Sequence, residues 1–340
     1  MSDGPSLFMW GVSHKKAPLQ LRERCVLSPE QRTDFEALLK TAGLREHLIL
    51  STCNRFEIYA VGGAPPEFFA RALERLNALP EGELENYHEQ LKGEQAVNHL
   101  MRVAGGLDSQ MVGETEIFGQ VKDAYAAAQA AGATGAVLNR LFQKAFQAAK
   151  WVRSHTDISR GLTSVGSVAV DLAERIFGDL EKAHVLVLGA GEVGEKTLAA
   201  MRSRGARRTT LASRTHEHAL AMAAQDENIT AMPLQDALEN LWRFDIVIAS
   251  LAAQQPVLEN FLIDAALTKR RFEPMFFIDA AMPRNIELCG ELPQAYVYNL
   301  DDLSKIANEN LASRHKAIEA CEKILSQRAE KLWQSLCLRA

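Results

Sequence analysis

The 340-residue sequence has little cysteine, no long hydrophobic run and no excess of basic charge. Its five cysteines are odd in number, scattered and without a CxxC pair, which argues against a disulfide framework and a structural zinc site. We therefore predict no metal. No window approaches about 18 uninterrupted apolar residues, and the N-terminus has no secretory leader. We expect a cytoplasmic protein with no membrane partner.

The net charge argues against a protein that binds nucleic acid or anionic membranes through an overall basic charge. The formal net charge is -5, so the protein as a whole does not attract polyanions. Binding of a polyanion would need a local basic face. Hydrophobic residues make up 47% and charged residues 24% of the chain, as in ordinary globular proteins.

The length and patterning predict an α/β multidomain protein. We expect an N-terminal α+β domain over residues 1–155 and a Rossmann-type, doubly wound domain over residues 160–300. A long C-terminal helix is expected over residues 301–340.

The first chemical candidate is Cys53. The apolar run Leu48–Leu50 predicts a strand, and alternation resumes at Phe56, so Cys53 would lie in the turn between two strands. Arg55, two residues further on, offers a way to lower the thiol pKa and so favour a thiolate. The alternative is that Cys53 is a small buried hydrophobic residue.

Helical spacing begins at Glu94 and continues for about 60 residues. It is interrupted by Gly105–Ser109 and again at Gly113-Glu114. Such a break places small polar side chains and helix-terminal amides where a substrate could lie. A simple turn between helices is the alternative.

A dinucleotide-binding turn is predicted after the β run His184–Leu188. A GxGxxG pattern that follows a strand and opens a helix permits a tight turn, close approach to a pyrophosphate and close helix–strand packing. The predicted cofactor-binding residues are Gly189, Ala190, Gly191, Glu192, Val193 and Gly194.

The next strand ends in Ser213-Arg214-Thr215, about 20 residues after the glycines. NAD sites usually have an acidic residue here for the ribose 2′-hydroxyl, and this segment has none. A hydroxyl and a guanidinium suit a 2′-phosphate, so the segment favours NADPH.

Proline and glycine are absent between Asp301 and Leu336, where apolar residues recur at helical steps. The pattern predicts one helix of roughly 35 residues and about 50 Å. We expect that helix to run past both domains or to pair with another chain.

A thiolate and a nicotinamide together permit two reactions. One is oxidation of an aldehyde through a thiohemiacetal, and the other is reduction of an activated acyl group through a thioester. The periodicity of the sequence leaves both open.

Several motifs resemble those of the glutamyl-tRNA reductase family. They span residues 11–303 in the order expected for that family, and Thr-Cys-Asn-Arg and Gly-Leu-Asp-Ser are specific to it. The matching segments are Gly11–His14, Ala17-Pro18, Ser51–Tyr59, His99-Leu100, Gly106–Ser109, Gly113-Glu114, Gly119–Lys122, Gly189–Gly194, Ser213–Thr215, Asp279 with Pro283-Arg284, and Tyr298–Leu303.

The resemblance implies NADPH-dependent reduction of glutamyl-tRNA(Glu) to glutamate-1-semialdehyde, the first step of five-carbon tetrapyrrole synthesis. Cys53 would attack the aminoacyl ester, and His99 would orient or protonate the leaving hydroxyl. The resemblance also implies glutamate-1-semialdehyde aminomutase as a partner. The implied substrate-binding residues are Thr52, Arg55, Ser109, Glu114 and Gln120.

Two departures from the family pattern leave alternatives open. Ser250–Pro256 replaces the usual Ser-Thr-Gly-Ala-Pro, which suggests an NADPH oxidoreductase acting on another thioester or carbonyl. The family commonly continues into a dimerisation domain, whereas this sequence stops at Ala340, so we expect a short form. That form would be a homodimer through the C-terminal helix, a monomer, or a non-catalytic paralogue that binds tRNA or a partner.

Overall fold

A computed structural model describes residues 4–114, 116–156, 158, 165–189, 192–224, 226–287, 292–309 and 315–338. The chain forms two compact units. The first contains residues 1–162 together with 310–340, and the second contains residues 163–309.

The first unit is built on a four-stranded antiparallel sheet. Its strands are β1 (Leu7–Ser13), β2 (Leu44–Ser51), β3 (Arg55–Gly62) and β4 (His88–Lys92), in the order β2-β3-β1-β4. The apolar segment over residues 7–13 predicts β1, and the pattern on either side of Cys53 predicts β2 and β3. The sequence pattern missed β4, which has the sequence HEQLK with a single apolar residue and pairs only with β1 at the sheet edge.

Three helices cover one face of this sheet: α1 (Leu19–Arg24), α2 (Pro29–Thr41) and α3 (Pro66–Leu76). The segment Ser28-Pro29-Glu30-Gln31 predicts the start of α2 with Ser28 as its N-cap, and the structure confirms it. Gln31 donates its backbone N–H to Ser28 Oγ at 3.2 Å, and Ser28 donates its own to Gln31 Oε1 at 2.8 Å, a reciprocal capping box.

The opposite face packs on α4 (Glu94–Gly105), α5 (Glu116–Ala130) and α6 (Ala136–His155). Side chains of β1–β3 alternate between the two faces, so Met9 and Tyr59 enter this core while Trp10 and Ile58 enter the other. The predicted helical stretch therefore forms one side of a three-layer unit.

The second unit is a doubly wound sheet of six parallel strands, as predicted, in the order β10-β9-β8-β5-β6-β7. Its elements in chain order are α7 (Val165–Phe177), β5 (His184–Leu188), α8 (Glu192–Ser203), β6 (Arg208–Ser213), α9 (His216–Ala223), β7 (Ile229–Pro233), α10 (Leu234–Glu239), β8 (Ile246–Ala249), α11 (Asn260–Lys269), β9 (Met275–Asp279), β10 (Ala295–Asn299) and α12 (Leu300–Glu309). The start of the helix predicted over 160–180 falls outside the described residues.

The predicted 35-residue tail helix is described as two helices. They are α12, in the second unit, and α13 (His315–Cys337), in the first; residues 310–314 between them lie outside the described residues. The apolar face of α13 is buried against α4 and α6 of its own chain, through Cys321, Leu325, Ala329, Leu332 and Leu336.

This packing accounts for the apolar stripe of the tail. The stripe is covered by the chain's own helices α4 and α6, and pairing with another chain through the C-terminal helix stays a prediction. Periodicity shows that a helix has an apolar face but does not show what covers it. In the described part of the chain, no helix is both long and apolar enough to cross a membrane.

Candidate active site

Cys53 lies in the three-residue turn that joins β2 to β3, as the sequence predicted, and its side chain is half-buried. The turn is closed by the Thr52 N–H, which donates to the Arg55 carbonyl at 2.9 Å, and by the Asn54 N–H, which donates to Thr52 Oγ1 at 3.2 Å. Arg22 Nη1 donates to the Cys53 carbonyl and to Asn54 Oδ1, each at 3.0 Å. A buried guanidinium therefore fixes the backbone that carries the thiol.

Arg55 begins β3 and points into a buried polar cluster, where its side chain is 1% exposed. Its Nη1 donates to Glu57 Oε1 at 2.6 Å, and both Nη atoms lie 3.3 Å from Asp108 Oδ2. The family resemblance implies that this guanidinium binds the substrate. In the structure, two carboxylates of the protein occupy it.

Glu57 connects Arg55 to His99 and Tyr59. Its Oε1 lies 2.9 Å from His99 Nε2, and its Oε2 accepts from the Tyr59 hydroxyl at 2.8 Å. Asp108 also accepts from Lys15 Nζ. We name the set Arg55, Glu57, His99, Asp108 and Tyr59 the buried charge cluster.

Both carboxylates of the cluster are ionised. Burial by itself raises the pKa of Glu57, but Arg55 and then His99 outweigh it and hold that pKa well below its usual range. The pKa of Asp108 is lowered in the same way, against burial, chiefly by Arg55. An ionised Glu57 only accepts hydrogen bonds, so His99 Nε2 is the donor in the 2.9 Å contact with Glu57 Oε1.

His14 faces the same cluster and was noted in the sequence only as part of a motif. Its backbone N–H donates to the Asn54 carbonyl at 2.9 Å, which ties the end of β1 to the Cys53 turn. Burial, followed by the charge of Arg55, lowers the pKa of His14 from 6.5 to about 4. Its imidazole is therefore neutral at pH 7. Its Nδ1 is buried without a hydrogen-bond partner among the described residues.

His14 should make the stability of the protein depend on pH. Because its pKa falls from 6.5 to about 4 on folding, its contribution is complete above pH 6.5 and is lost as the pH falls towards 4. We expect His14→Gln to flatten the decline of the urea midpoint between pH 6.5 and 4. The exposed His155→Gln on α6 is the control, and an equal flattening in that variant would contradict this assignment.

The predicted break between helices brings Ser109 to the cluster. Gly106 ends α4 with φ +78°, and the following Asp108 accepts from Arg55 through both its carbonyl and its carboxylate. Ser109 is 7% exposed, and its Oγ has no partner among the described residues. That hydroxyl is therefore available to a bound group.

Two predicted substrate residues are not linked to the Cys53 turn by the described hydrogen bonds. The Glu114 carbonyl accepts from Arg153 Nη2 at 3.0 Å, and Gln120 lies half-buried on α5. Their roles remain predictions from the resemblance.

In the second unit, the turn between β5 and α8 requires glycine at two predicted positions. Gly189 has φ +91°, and a Cβ there would lie 2.5 Å from the Ser250 carbonyl oxygen. A Cβ on Gly194 would lie 2.7 Å from Ser250 Cβ. Glu192 and Val193 begin α8, whereas the predicted residues Ala190 and Gly191 lie outside the described residues.

The segment Ser213–Thr215 follows β6 at the same edge of the sheet. Arg214 is exposed, and its Nη2 donates to the Ala252 carbonyl at 2.5 Å. Thr215 is the N-cap residue of α9. The guanidinium predicted for a 2′-phosphate thus lies against the altered segment Ser250–Pro256.

Asn285 holds that altered segment, and sequence reasoning missed it. Its fully buried side chain accepts from the Leu251 N–H at 2.7 Å and donates to the Leu251 carbonyl at 3.1 Å. Asp279 Oδ2 accepts from the backbone N–H groups of Asn285 and Ile286, each at 2.8 Å. The carboxyl end of β9 thereby fixes the loop after β8.

Asn285→Ala should destabilise the second unit. The change leaves the buried Leu251 N–H without a partner, whereas the Leu251 carbonyl still accepts from the Ala253 N–H at 2.9 Å. We expect a loss of about 1–3 kcal/mol in the free energy of unfolding. Hydrogen exchange at the Leu251 amide measures the effect locally. Asn228→Ala, at an exposed turn, is the control, and similar losses in the two variants would contradict the role of Asn285.

The two units together define a class of protein. A parallel, doubly wound sheet with a glycine turn between its central strand and the next helix is a dehydrogenase-type nucleotide-binding unit. The other unit presents a half-buried thiol beside a buried charge cluster. This combination is typical of an oxidoreductase that uses a nicotinamide cofactor.

Comparison with known proteins agrees. Residues 10–156 match the family model "Glutamyl-tRNAGlu reductase, N-terminal domain", and residues 171–306 match "Shikimate / quinate 5-dehydrogenase". A glutamyl-tRNA reductase of Pseudoalteromonas translucida is 41% identical over 324 residues, which cover 94% of this chain and 77% of that protein. One from Pseudomonas putida is 41% identical over 331 residues, with coverages of 94% and 76%.

The solved glutamyl-tRNA reductase from Methanopyrus kandleri is similar in structure as well. It is 35% identical with a TM-score of 0.53, and the match covers 98% of this chain and 80% of that one. The chain belongs to the glutamyl-tRNA reductase family, and its second unit is of the nicotinamide-dinucleotide-binding type.

Proposed function

We propose that the protein reduces glutamyl-tRNA(Glu) to glutamate-1-semialdehyde with NADPH, through a thioester on Cys53. This is the first committed step of five-carbon tetrapyrrole (haem) biosynthesis. The observation that carries the proposal is the geometry of the Cys53 turn. Its thiol is half-buried, and the backbone of the turn is held by hydrogen bonds from Arg22 to the Cys53 carbonyl and to Asn54 Oδ1.

Acyl transfer to Cys53 follows from groups in the first unit. The sulfur attacks the ester carbonyl carbon, the ester C–O bond breaks, and the tRNA leaves through its terminal ribose oxygen. In the proposed step His99, whose Nε2 is held by Glu57, takes the thiol proton and returns it to that oxygen. Atoms and protons therefore balance with no net change in the imidazole.

The glutamyl group is bound by polar atoms beside the turn. Ser109 Oγ and Thr52 Oγ1 are the hydroxyls that line it, and Ser109 Oγ is buried with no partner among the described residues. Arg55 acts as a positioning residue, because Glu57 and Asp108 occupy its guanidinium. It aligns the turn, His99 and Ser109 with one another.

The second unit fits a dinucleotide. The Gly189 turn and the close contact of Gly194 with Ser250 keep side chains away from the first turn of α8, where a pyrophosphate is bound in this fold. Ala190, Gly191, Glu192 and Val193 complete that turn in sequence. When bound, NADPH supplies a hydride to the thioester carbonyl carbon, and the sulfur leaves as thiolate.

Arg214, with Ser213 and Thr215, is proposed to select the 2′-phosphate. We expect Arg214→Ala to weaken NADPH binding by about tenfold or more, the loss of a charge-assisted hydrogen bond, and to leave NADH binding unchanged. Fluorescence titration of the nucleotide measures both affinities. Arg208→Ala, exposed at the other end of β6, is the control. Equal weakening for NADH and NADPH would contradict the assignment.

The proposed reaction is tested by oxidation of NADPH in the presence of glutamyl-tRNA(Glu). We expect oxidation of NADPH to require the aminoacylated tRNA and to be absent with deacylated tRNA.

The altered segment Ser250–Pro256 supports a second candidate, an oxidoreductase for another thioester. Turnover of free acyl thioesters without turnover of glutamyl-tRNA would favour that candidate. The aldehyde product is reactive, so glutamate-1-semialdehyde aminomutase is the proposed recipient.

A further inference from the structure

A basic groove lies in the first unit between α6 and α13, with α4 at its floor. We define it by Met101, Arg140, Lys144, Gln147, Arg328, Lys331, Leu332 and Ser335, which enclose about 230 Å³. Four cations line this concave surface, and no carboxylate does. That concentration is unusual in a chain whose formal net charge is -5.

The four cations are not neutralised by the protein. Among the described residues, Arg140, Lys144, Arg328 and Lys331 form no ion pair with a carboxylate. The nearby acidic residues of α13 are engaged elsewhere: Glu322 pairs with Arg102 at 3.0 Å, and Glu330 accepts from Gln334.

Two contacts hold the groove in shape. Arg140 Nη2 donates to Ser335 Oγ at 2.6 Å, which joins α6 to α13, and the Arg328 guanidinium carbon lies over the Trp151 ring, 4.9 Å from its centroid. The Arg140 Nε–H is buried and has no partner among the described residues. A buried donor of a charged group without an acceptor is costly unless a ligand supplies one.

We propose that this basic groove binds backbone phosphates of the tRNA. The inference rests on the proposed function, which supplies the polyanion. Because the chain as a whole is acidic, tRNA affinity has to come from a local concentration of unpaired cations. Arg140 and Arg328 offer planar donors fixed by their own contacts, and Lys144 and Lys331 offer exposed ammonium groups on either wall.

The groove and the buried charge cluster share helix α4. Met101 lies in the groove, whereas His99 faces the buried charge cluster, so the two sites occupy different faces of one helix. The groove therefore contacts the body of the tRNA, away from the esterified ribose. Removal of the groove's positive charges should weaken tRNA binding without changing the chemistry at Cys53.

The test compares two double variants of the full chain with deacylated tRNA(Glu) as the probe. Lys144→Gln/Lys331→Gln removes two groove charges, and Lys150→Gln/Lys323→Gln removes two exposed charges from the same helices outside the groove. Binding is measured by fluorescence anisotropy across a series of salt concentrations. We expect the groove variant to lose on the order of tenfold in affinity near 0.1 M salt, with a salt slope lower by about 1.8. The control should match the parent protein.

Separate readouts distinguish this proposal from the proposed function. Acylation of Cys53 by glutamyl-adenosine, an ester without the tRNA body, should proceed equally in the parent and both variants. Absence of acylation in the parent and in both variants would overturn the proposed function. The tRNA-binding comparison would then still test whether the groove binds tRNA. Equal tRNA affinity and equal salt slope in the two variants would overturn the proposal that the groove binds tRNA. So would a groove variant that loses inorganic phosphate binding but keeps its tRNA affinity, because the site would then serve a small phosphate compound.

Discussion

Cys53→Ser is expected to lower the rate of semialdehyde formation from glutamyl-tRNA by at least about 10³-fold. A serine hydroxyl is a far weaker nucleophile than a thiolate at neutral pH, and an ester on serine is a poorer hydride acceptor than a thioester. Loss of a nucleophile commonly costs several orders of magnitude in turnover. The change is nearly isosteric at a half-buried turn, so the fold should persist.

The structure supplies a contrast within the same unit. Cys25 is buried, and burial raises its pKa to about 12, which makes it an unreactive thiol. Cys337, half-buried at the end of α13, offers the control Cys337→Ser, for which we expect near-normal turnover. Substantial semialdehyde production by Cys53→Ser, with glutamyl-tRNA binding intact, would remove Cys53 from the reaction.

Arg55→Ala should be the most destabilising substitution in the first unit. It leaves the Glu57 and Asp108 carboxylates buried, with much less positive charge to stabilise them. Removing one partner of a buried ion pair typically costs about 3–5 kcal/mol. We expect a loss of that size in the free energy of unfolding, measured by urea denaturation at pH 7.

Lowering the pH should reduce the difference in the free energy of unfolding between the parent protein and Arg55→Ala. The pKa values of Glu57 and Asp108 are lowered on folding from 4.5 and 3.8, so their contribution is complete above those values and is lost as the pH falls below them. The control is Arg24→Ala, because Arg24 pairs with Glu83 at the surface, and it should cost under about 1 kcal/mol. Equal losses for the two arginines would show that the cluster is not a stabilising ion network.

Local patterns predicted most of the fold. The Ser28 capping box, the apolar run that ends β2 before Cys53 and the strand–glycine–helix order at Gly189 are each set by neighbouring residues. For that reason the sequence places them correctly. The edge strand β4 was missed because it carries hardly any apolar pattern, and its pairing with β1 comes from residues far away in the chain.

The sequence predicted which residues belong to the candidate site, but it did not predict which of them contact one another. Arg55 and Asp108 are 53 positions apart, and Asn285 lies 34 positions from Leu251, so only the folded chain brings them together. The low pKa of His14 likewise depends on burial and on Arg55. A periodic pattern reports which face of an element is apolar, and it carries no information on which distant charge will meet a given side chain.

The most direct test of the account is the mass of the intact protein after mixing with glutamyl-tRNA(Glu) in the absence of NADPH. We predict an increase equal to one glutamyl residue, located on Cys53 by peptide mapping, labile to hydroxylamine and absent in Cys53→Ser. No mass increase under conditions where addition of NADPH yields semialdehyde, or an increase located on another residue, would contradict the thioester mechanism.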